Sequence, residues 1–314
     1  MFDTINFRLR QDDLKSRADF IEDLPGYLSN VAYTETNTGE MWISGTLGNL
    51  NITANWYAVN IGKGSLCKWY LQDNLKVLSR GDTESAVEAL SDTIHLPISR
   101  AQVTRLDFGC GLIVKRPVLE YLDRLGRLSR YDRLTQPNSV YYYQNTKQLV
   151  FYDKIAEERA HKGTIPELYL GRNVLRYEYR VISRLQKNLC KTEPVRASLL
   201  YNRAFYNSLL SLWRDSYSSI NKVCDYNIDF SMINTKKEFY RLGLLSFIDR
   251  MGGQAETLKQ IANAGKDGKL TPKQVYDLKA AVMDACSIDG TIAMQSDCIK
   301  ELDRLIVEAV EVFG

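Results

Sequence analysis

Histidine and paired cysteine are what this sequence has least of. Its 314 residues include only two histidines, His95 and His161, and six cysteines that are scattered along the chain without a Cys-x-x-Cys pair. Zinc sites are built from clusters of these residue types at short spacing. The sequence therefore argues against a zinc site, and we expect the thiols to be reduced and mostly packed.

Long apolar runs are also missing. No stretch approaches the roughly 18 consecutive apolar residues that a membrane helix needs. The first residues, MFDTINFRLRQDD, are charged where a secretory signal would be apolar. Both absences argue against a membrane protein, and we expect the chain to stay in the cytoplasm.

The composition, 45% hydrophobic and 25% charged, is that of an ordinary folded protein. A net charge of +3 is too small to indicate a nucleic-acid partner by itself. Basic residues are nevertheless concentrated between Arg105 and Arg214. This distribution favours phosphate binding, although a solvated surface explains it equally well. The arginines at four-residue spacing are Arg172, Arg176, Arg180 and Arg184.

The first 190 residues predict strands mixed with helices. An antiparallel meander, rich in β-branched and aromatic residues, is expected over residues 41–70. The elements predicted after it are a helix over 82–94, a strand over 103–112, a helix over 117–129, a hairpin of 139–144 with 148–154, and a strand over 174–182. No internal repeat is visible. The pattern predicts an α+β domain over residues 1–190, built on an antiparallel sheet.

Residues 191–314 predict a mostly helical second domain. The segment Thr271-Pro272-Lys273-Gln274 has the pattern of a capping box with proline at the first helical position, which favours a helix start. Four roles stay open for this half: origin recognition, formation of a homodimer, docking of a helicase, and buttressing of the sheet.

Two of the predicted strands carry charged side chains on one face only. Because side chains alternate along a strand, Arg105 and Asp107 share a face opposite Leu106 and its apolar neighbours. In the strand over 174–182, Arg176, Glu178 and Arg180 share a face in the same way. The sheet is therefore predicted to be apolar on one side and charged on the other.

The strand between these two adds further polar groups. Tyr152 and Lys154 share a face of it, and Glu157 follows its predicted end. With Asp107 and Glu178, Glu157 would give three carboxylates from neighbouring elements. Such hard oxygen ligands suit Mg²⁺ or Mn²⁺, and a bound cation would polarise a scissile phosphate.

The Tyr152 hydroxyl is the candidate nucleophile. Because a phenol has a pKa near 10, a metal, a carboxylate base or the charge of Lys154 must ease its deprotonation. The same pattern also fits a half-exposed sheet with surface ion pairs and a structural tyrosine, one of 19 in the chain.

Three short motifs occur in the order TRLD at 104–107, LVFYDKIAEE at 149–158 and LRYEYR at 175–180. In order and spacing they resemble the motifs of the filamentous-phage gene II type replication initiators and of related small-plasmid initiators. The likeness covers roughly residues 40–190. It implies a rolling-circle initiator in a bacterial host cell, which nicks single-stranded or supercoiled origin DNA and acts as a strand transferase through a 5′-phosphotyrosine, with Mg²⁺ or Mn²⁺.

The resemblance assigns the family's acidic positions to Asp107, Glu157 and Glu178 and its middle-motif tyrosine to Tyr152. The plasmid branch places its nicking tyrosine after the third motif, so Tyr201 and Tyr206 are competing nucleophiles; core packing is the alternative explanation for both. A host helicase and a single-strand-binding protein are implied partners. The lack of paired histidines argues against the other large class of initiators.

Two other functions stay open. A non-catalytic origin-binding or copy-control protein would need the arginines but not the carboxylates. A mobilisation relaxase would share the nicking chemistry and differ in its genetic context.

Overall fold

A ten-stranded antiparallel sheet forms the centre of the protein in a computed structural model that describes residues 1–14, 19–73, 75–223, 225–227, 233, 235–287, 292–294 and 296–314. Its strands are β1 (Phe2–Arg10), β2 (Ser29–Glu35), β3 (Met41–Leu47), β4 (Leu50–Ala54), β5 (Ala58–Gly62), β6 (Gln102–Val114), β7 (Asp132–Gln136), β8 (Ser139–Tyr143), β9 (Lys147–Asp153) and β10 (Asn173–Val181). The α+β class predicted from the sequence is confirmed.

The sheet consists of two halves with the same strand order. It runs β2-β3-β4-β5-β1-β6-β10-β9-β8-β7, and β1 pairs with β6 in antiparallel fashion at its centre. Read outward from that junction, the first half has the order β1, β5, β4, β3, β2 and the second has β6, β10, β9, β8, β7. This topological repeat is not visible in the sequence.

Helices connect and cover the strands. They are α1 (Phe20–Asp23), α2 (Leu66–Leu71), α3 (Arg80–Ile94), α4 (Val118–Leu122), α5 (Lys154–Ala160), α6 (Leu185–Asn188), α7 (Arg203–Ser218), α8 (Lys236–Arg250), α9 (Gln254–Lys266), α10 (Pro272–Cys286) and α11 (Asp297–Phe313). Two short strands, β11 (Asp225–Asn227) and β12 (Ile292–Met294), pair separately.

The apolar face of the sheet and the helices α3, α4, α7 and α11 form one core. Stacked rings connect its layers, with 4.2 Å between the ring centroids of Phe151 and Tyr177 and 4.7 Å between those of Tyr177 and Trp213. Helices α7 and α11 therefore buttress the sheet, which is one of the four roles left open for the second half. Helices α8, α9 and α10 form a smaller core of their own around Ile248 and Val282.

Several predicted elements agree with the structure and others need correction. The strands at 103–112 and 174–182 and the hairpin are confirmed as β6, β10 and β8–β9, and the capping box at Thr271 is confirmed. The helix predicted over 117–129 is wrong in length, because the chain turns at Gly126, whose N–H donates to the Asn221 carbonyl at 2.8 Å. The helix predicted over 82–94 begins earlier, at Arg80, because Ser79 caps α3 and exchanges hydrogen bonds with Asp82 as a capping box. Strands β1, β2 and β7 were not predicted.

The described cysteines are free thiols: Cys67, Cys110 and Cys298 are buried, Cys286 is partly buried and Cys190 is exposed. Cys224 lies outside the described residues. In the part of the chain that the structure describes, no helix combines the length and apolarity that crossing a membrane requires.

Candidate active site

The strand register brings the three sequence motifs together on one face of the second half. Arg180 on β10 lies opposite Asp107 on β6, and Arg176 lies opposite Tyr152 on β9. Directly opposite residues of antiparallel strands share a face. The predicted alternation is confirmed, and the charged row of β10 lies between Asp107 on one side and Tyr152 on the other.

Glu178 is the centre of this row. The Tyr152 hydroxyl donates a hydrogen bond to its Oε1 at 2.9 Å, and Arg176 Nε donates to the same oxygen at 3.0 Å. Arg180 donates to Oε2 through Nη2 at 2.6 Å and Nε at 2.8 Å. Burial raises the pKa of Glu178, but the guanidinium groups of Arg180 and Arg176 outweigh it and bring the pKa below its usual value. Glu178 is therefore a carboxylate at neutral pH.

Tyr152 lines an open cleft. Burial, and then the negative charge of Glu178, raise the pKa of Tyr152 well above its ordinary value. The cleft has a volume of about 180 Å³, and its lining includes Tyr141, Glu157 and Arg180 as well as Tyr152. An aromatic ring, a carboxylate and a partly exposed guanidinium thus surround a phenol that is bonded to a base. A phosphodiester in this cleft could meet both a nucleophile and a cation.

Arg105 and Asp107 form a forked ion pair beside this centre. Arg105 Nη2 lies 2.7 Å from Asp107 Oδ2, and Arg105 Nε donates to Oδ1 at 3.0 Å. Arg180 Nε lies 3.9 Å from the same carboxylate. Burial raises the pKa of Asp107 to about 6, against the opposing effect of Arg105. Arg105 keeps about a third of its side chain exposed, so it remains able to contact a ligand.

The predicted end of the strand at Lys154 needs correction. Strand β9 ends at Asp153, whose carboxylate accepts from the Ala156 N–H at 2.9 Å, so Lys154 is the first residue of α5. Its ammonium is buried and lies 2.6 Å from Glu157 and 2.8 Å from Glu158. It lies 5.9 Å from the centroid of the Tyr152 ring. Lys154 therefore anchors α5 beside the tyrosine and does not contact the hydroxyl.

The family model that describes the N-terminal part of the phage gene II replication-associated protein matches residues 1–201. The chain belongs to this family. The match spans both halves of the sheet and all three motifs, and it confirms the resemblance to phage replication initiators. A search of curated proteins finds no match.

In this replication-associated protein the three predicted metal ligands do not fit a preformed Mg²⁺ or Mn²⁺ centre. Asp107 is paired with Arg105, Glu157 with Lys154, and Glu178 with two arginines. Among the residues that the structure describes, no group of three or more His, Cys, Asp and Glu side chains is arranged to hold a metal ion. Each carboxylate would have to exchange a cationic partner for the metal.

We expect the DNA-free protein to bind Mn²⁺ weakly, with no site tighter than about 0.1 mM, because its carboxylates are already neutralised. Isothermal titration of the metal-free protein with MnCl₂ checks this. A tighter site that is lost in Glu178→Gln or Glu157→Gln would contradict it and restore the predicted centre.

The predicted DNA-binding arginines have different surroundings. Arg176 is fully buried, and its guanidinium also donates to the Leu75 carbonyl. Its side chain is therefore not accessible to DNA, and it positions Glu178 instead. Arg172 and Arg184 are exposed but lie beyond the two ends of β10. Arg180, which lines the cleft, and Arg105, which is paired with Asp107 beside Arg180, are partly exposed.

The competing tyrosines lie away from the cleft. Tyr206 is buried in the core, where its ring contacts Phe2 edge-on with 5.6 Å between centroids, and its hydroxyl accepts from the amino group of Met1. Tyr201 precedes α7 and packs against the same core. Core packing, the alternative explanation given by the sequence, describes both.

Three residues of the site were missed from the sequence. Gly109 and Gly111 on β6 lie opposite Glu178 and Arg176, and Gly109 allows the backbone of β10 to approach closely. Asp3 on β1 lies 3.7 Å from the Arg176 guanidinium. Glycines at alternating positions of a strand indicate a close approach of another group, so the Gly-Cys-Gly segment carried a usable signal. Asp3 carried none.

Gly109→Ala should destabilise the fold by about 3 kcal/mol, the upper end for overpacking, because a Cβ there would lie 1.9 Å from the Tyr177 carbonyl oxygen. Gly111→Ala is the matched control: its Cβ would lie 3.1 Å from a Val174 methyl, which can shift, and the expected loss is about 1 kcal/mol or less. Urea denaturation of both variants measures the difference. Equal stability would show that β6 and β10 are not packed as closely as described.

Proposed function

We propose that this replication-associated protein nicks one strand of its replication origin with Tyr152 and remains joined to the 5′ phosphate. The observation that carries the proposal is the 2.9 Å hydrogen bond from the Tyr152 hydroxyl to Glu178, at a cleft that Arg180 also lines. A nucleophile, a base and a phosphate-binding cation are the parts that this reaction needs.

The first step transfers the strand to the protein. Tyr152 Oη attacks the scissile phosphorus while its proton passes to Glu178, and the bond from phosphorus to the 3′ oxygen breaks. The departing 3′ oxygen takes a proton from water. The products are a phosphotyrosine ester and a free 3′ hydroxyl, which a polymerase can extend.

The second step is the reverse reaction with a 3′ hydroxyl as the attacking group. The ester keeps the phosphodiester free energy, so rejoining of the strand needs no ATP. Water accepts the proton of the attacking 3′ hydroxyl, and Tyr152 takes up a proton through Glu178 as it leaves. One residue pair thus accounts for both nicking and strand transfer.

Arg180 links DNA binding to the basicity of Glu178. In the free protein its guanidinium and that of Arg176 lower the pKa of Glu178, which makes the carboxylate a weak base. A DNA phosphate that engages Arg180 would draw one of these cations away from the carboxylate and raise its proton affinity. Arg180 would then stabilise the charge that develops on the phosphorane oxygens.

No step of this reaction is assigned to a metal, because the carboxylates do not fit a preformed centre. The family resemblance implies a divalent cation, and the experiment therefore compares Mg²⁺, Mn²⁺ and chelator. The origin strand, a host helicase and a single-strand-binding protein are the partners that belong to the proposal.

The test is incubation of the purified protein with labelled single-stranded DNA from its own replicon, in Mg²⁺, in Mn²⁺ and in chelator, followed by a denaturing gel. We expect a protein-linked band when the label lies downstream of the nick, because the 5′ phosphate of the downstream fragment is the group joined to the protein. A band formed only with metal would add the cation to the site. Absence of the band in all three conditions would favour the non-catalytic origin-binding protein.

A further inference from the structure

A second cleft lies on the same face of the sheet, in the half that does not contain Tyr152. It has a volume of about 410 Å³ and is lined mainly from β1, β3, β4 and β5. In the strand order these correspond to β6, β8, β9 and β10, of which the last three line the Tyr152 cleft. The two halves of the sheet therefore carry clefts in matching positions.

This second cleft, the polar groove, is lined mainly by uncharged amide and hydroxyl side chains. Of the residues that line it in the described part of the chain, none is acidic and Lys63 alone is charged. The polar side chains that argue for a ligand are Asn6, Asn30, Ser44, Asn51, Thr53 and Asn60. Amides carry both donors and acceptors, so they match groups that also present both.

These amides have hydrogen-bonding capacity to spare. Asn6 Oδ1 is buried and has no hydrogen-bond partner among the described residues. The side chains of Asn51 and Asn60 also make no hydrogen bond within the described part of the chain. Gly62 makes room for the Asn6 side chain at the floor of the groove, since a Cβ there would lie 2.6 Å from Asn6 Cγ. A buried acceptor without a donor indicates a partner that comes from outside the chain.

The polar groove begins next to the charged side chains of the active site. Asn6 on β1 lies opposite Arg105 on β6, and Arg105 is paired with Asp107 beside Arg180. Four strand intervals separate β9 from β5, or about 19 Å at the usual spacing. A strand of DNA held at Tyr152 could therefore reach the polar groove across the sheet within a few nucleotides.

Resting on the proposed function, we infer that the polar groove binds unpaired bases of the origin strand and contributes to the choice of the nicking site. Asparagine amides can pair with the donor and acceptor edges of bases, as they do with adenine. The bases must be unpaired, because four strands span about 14 Å and the major groove of duplex DNA is only about 12 Å wide. The near absence of charge favours base edges over phosphates as the bound groups.

The experiment measures binding separately from cleavage. Fluorescence anisotropy in the Tyr152→Phe background measures the affinity for two oligonucleotides. One is the replicon sequence that the protein binds most tightly, and the other is a scrambled sequence of the same composition. We expect Asn51→Ala with Asn60→Ala to weaken binding of the replicon sequence by about tenfold or more, and binding of the scrambled one by less than about threefold. The matched control pairs Asn207→Ala with Asn263→Ala, two exposed asparagines on α7 and α9, and should change neither.

Two results would overturn the inference. Unchanged affinity for the replicon sequence would show that the polar groove does not bind it. Equal losses for the two sequences would show that the groove does not distinguish bases. Gly62→Ala, whose methyl group would displace the Asn6 side chain, provides a second variant and should lower affinity in the same selective way. A failure of nicking would instead appear as a missing covalent adduct in the protein with Tyr152 intact, while these binding results would stand.

Discussion

Replacement of Tyr152 by phenylalanine should abolish the covalent protein–DNA adduct, a loss of at least about 1,000-fold in its rate of formation. The variant removes the attacking oxygen and keeps the ring, which is packed beside Lys154. The hydrogen bond to Glu178 is lost, but the two arginines that hold this carboxylate remain. The measurement is the rate of labelled adduct on a denaturing gel, with single-stranded replicon DNA in excess.

The control for this result is Tyr141→Phe, which removes a hydroxyl from the same cleft and should leave the adduct in place. Tyr201→Phe and Tyr206→Phe test the competing nucleophiles and should also retain it. An adduct that survives Tyr152→Phe but disappears in one of the latter two would move the attack to the helical side of the sheet. For Tyr206 that outcome would require α7 to open, since this residue is buried in the core.

Replacement of Glu178 by glutamine should reduce the rate of nicking by about 100-fold to 10,000-fold while DNA affinity stays within about threefold. An amide of the same shape cannot accept the proton of Tyr152. The nicking rate of the variant should also depend on pH, unlike the native rate. Between pH 7 and 9 the native rate should be flat, because Glu178 is ionised throughout and acts as the base. The variant should gain about tenfold per pH unit, because its phenolate fraction rises below the elevated pKa of Tyr152.

The free energy of unfolding must be measured for the same variant, because Glu178 neutralises the buried Arg176. Loss of one partner of a buried ion pair costs about 3–5 kcal/mol. Glu178→Asp keeps the charge but withdraws the carboxylate from the hydroxyl, so it should be slow yet more stable than Glu178→Gln. A glutamine variant that is folded and nicks at the native rate would remove Glu178 from the reaction. A folded protein that binds DNA but forms no adduct in its native form would favour the copy-control alternative.

Local pattern was enough to predict the strands that carry the site. Alternation of charged and apolar residues identified β6 and β10 and the polar faces of both. The turn between β8 and β9 identified the hairpin. Strand β1 was missed, although it lies at the centre of the sheet, because its mixture of charged and apolar residues resembles an exposed segment. The helix at 117–129 was overpredicted because its end is set by the contact of Gly126 with Asn221, almost a hundred residues away.

The roles of individual charges were harder to predict. Asp107, Glu157 and Glu178 have the chemistry of metal ligands, and the sequence left both a metal site and ion pairs with neighbouring arginines or lysines open. Arg176 has the same spacing as Arg180, yet one is fully buried and the other borders the cleft. An ion pair forms with whichever partner the fold brings within a few ångströms, and several candidates for each carboxylate lie near it in the sequence.

By itself, the sequence determined the fold class, the three motifs and their common face, because side-chain alternation and turn chemistry are local properties of the chain. Tertiary structure alone decided that Tyr152 donates to Glu178, that Lys154 is held away from the hydroxyl, and that two halves with the same strand order place a polar groove beside the active site. These features depend on the register between strands that are distant in sequence. Register is set by packing of the whole sheet against its helices, and no local pattern encodes it.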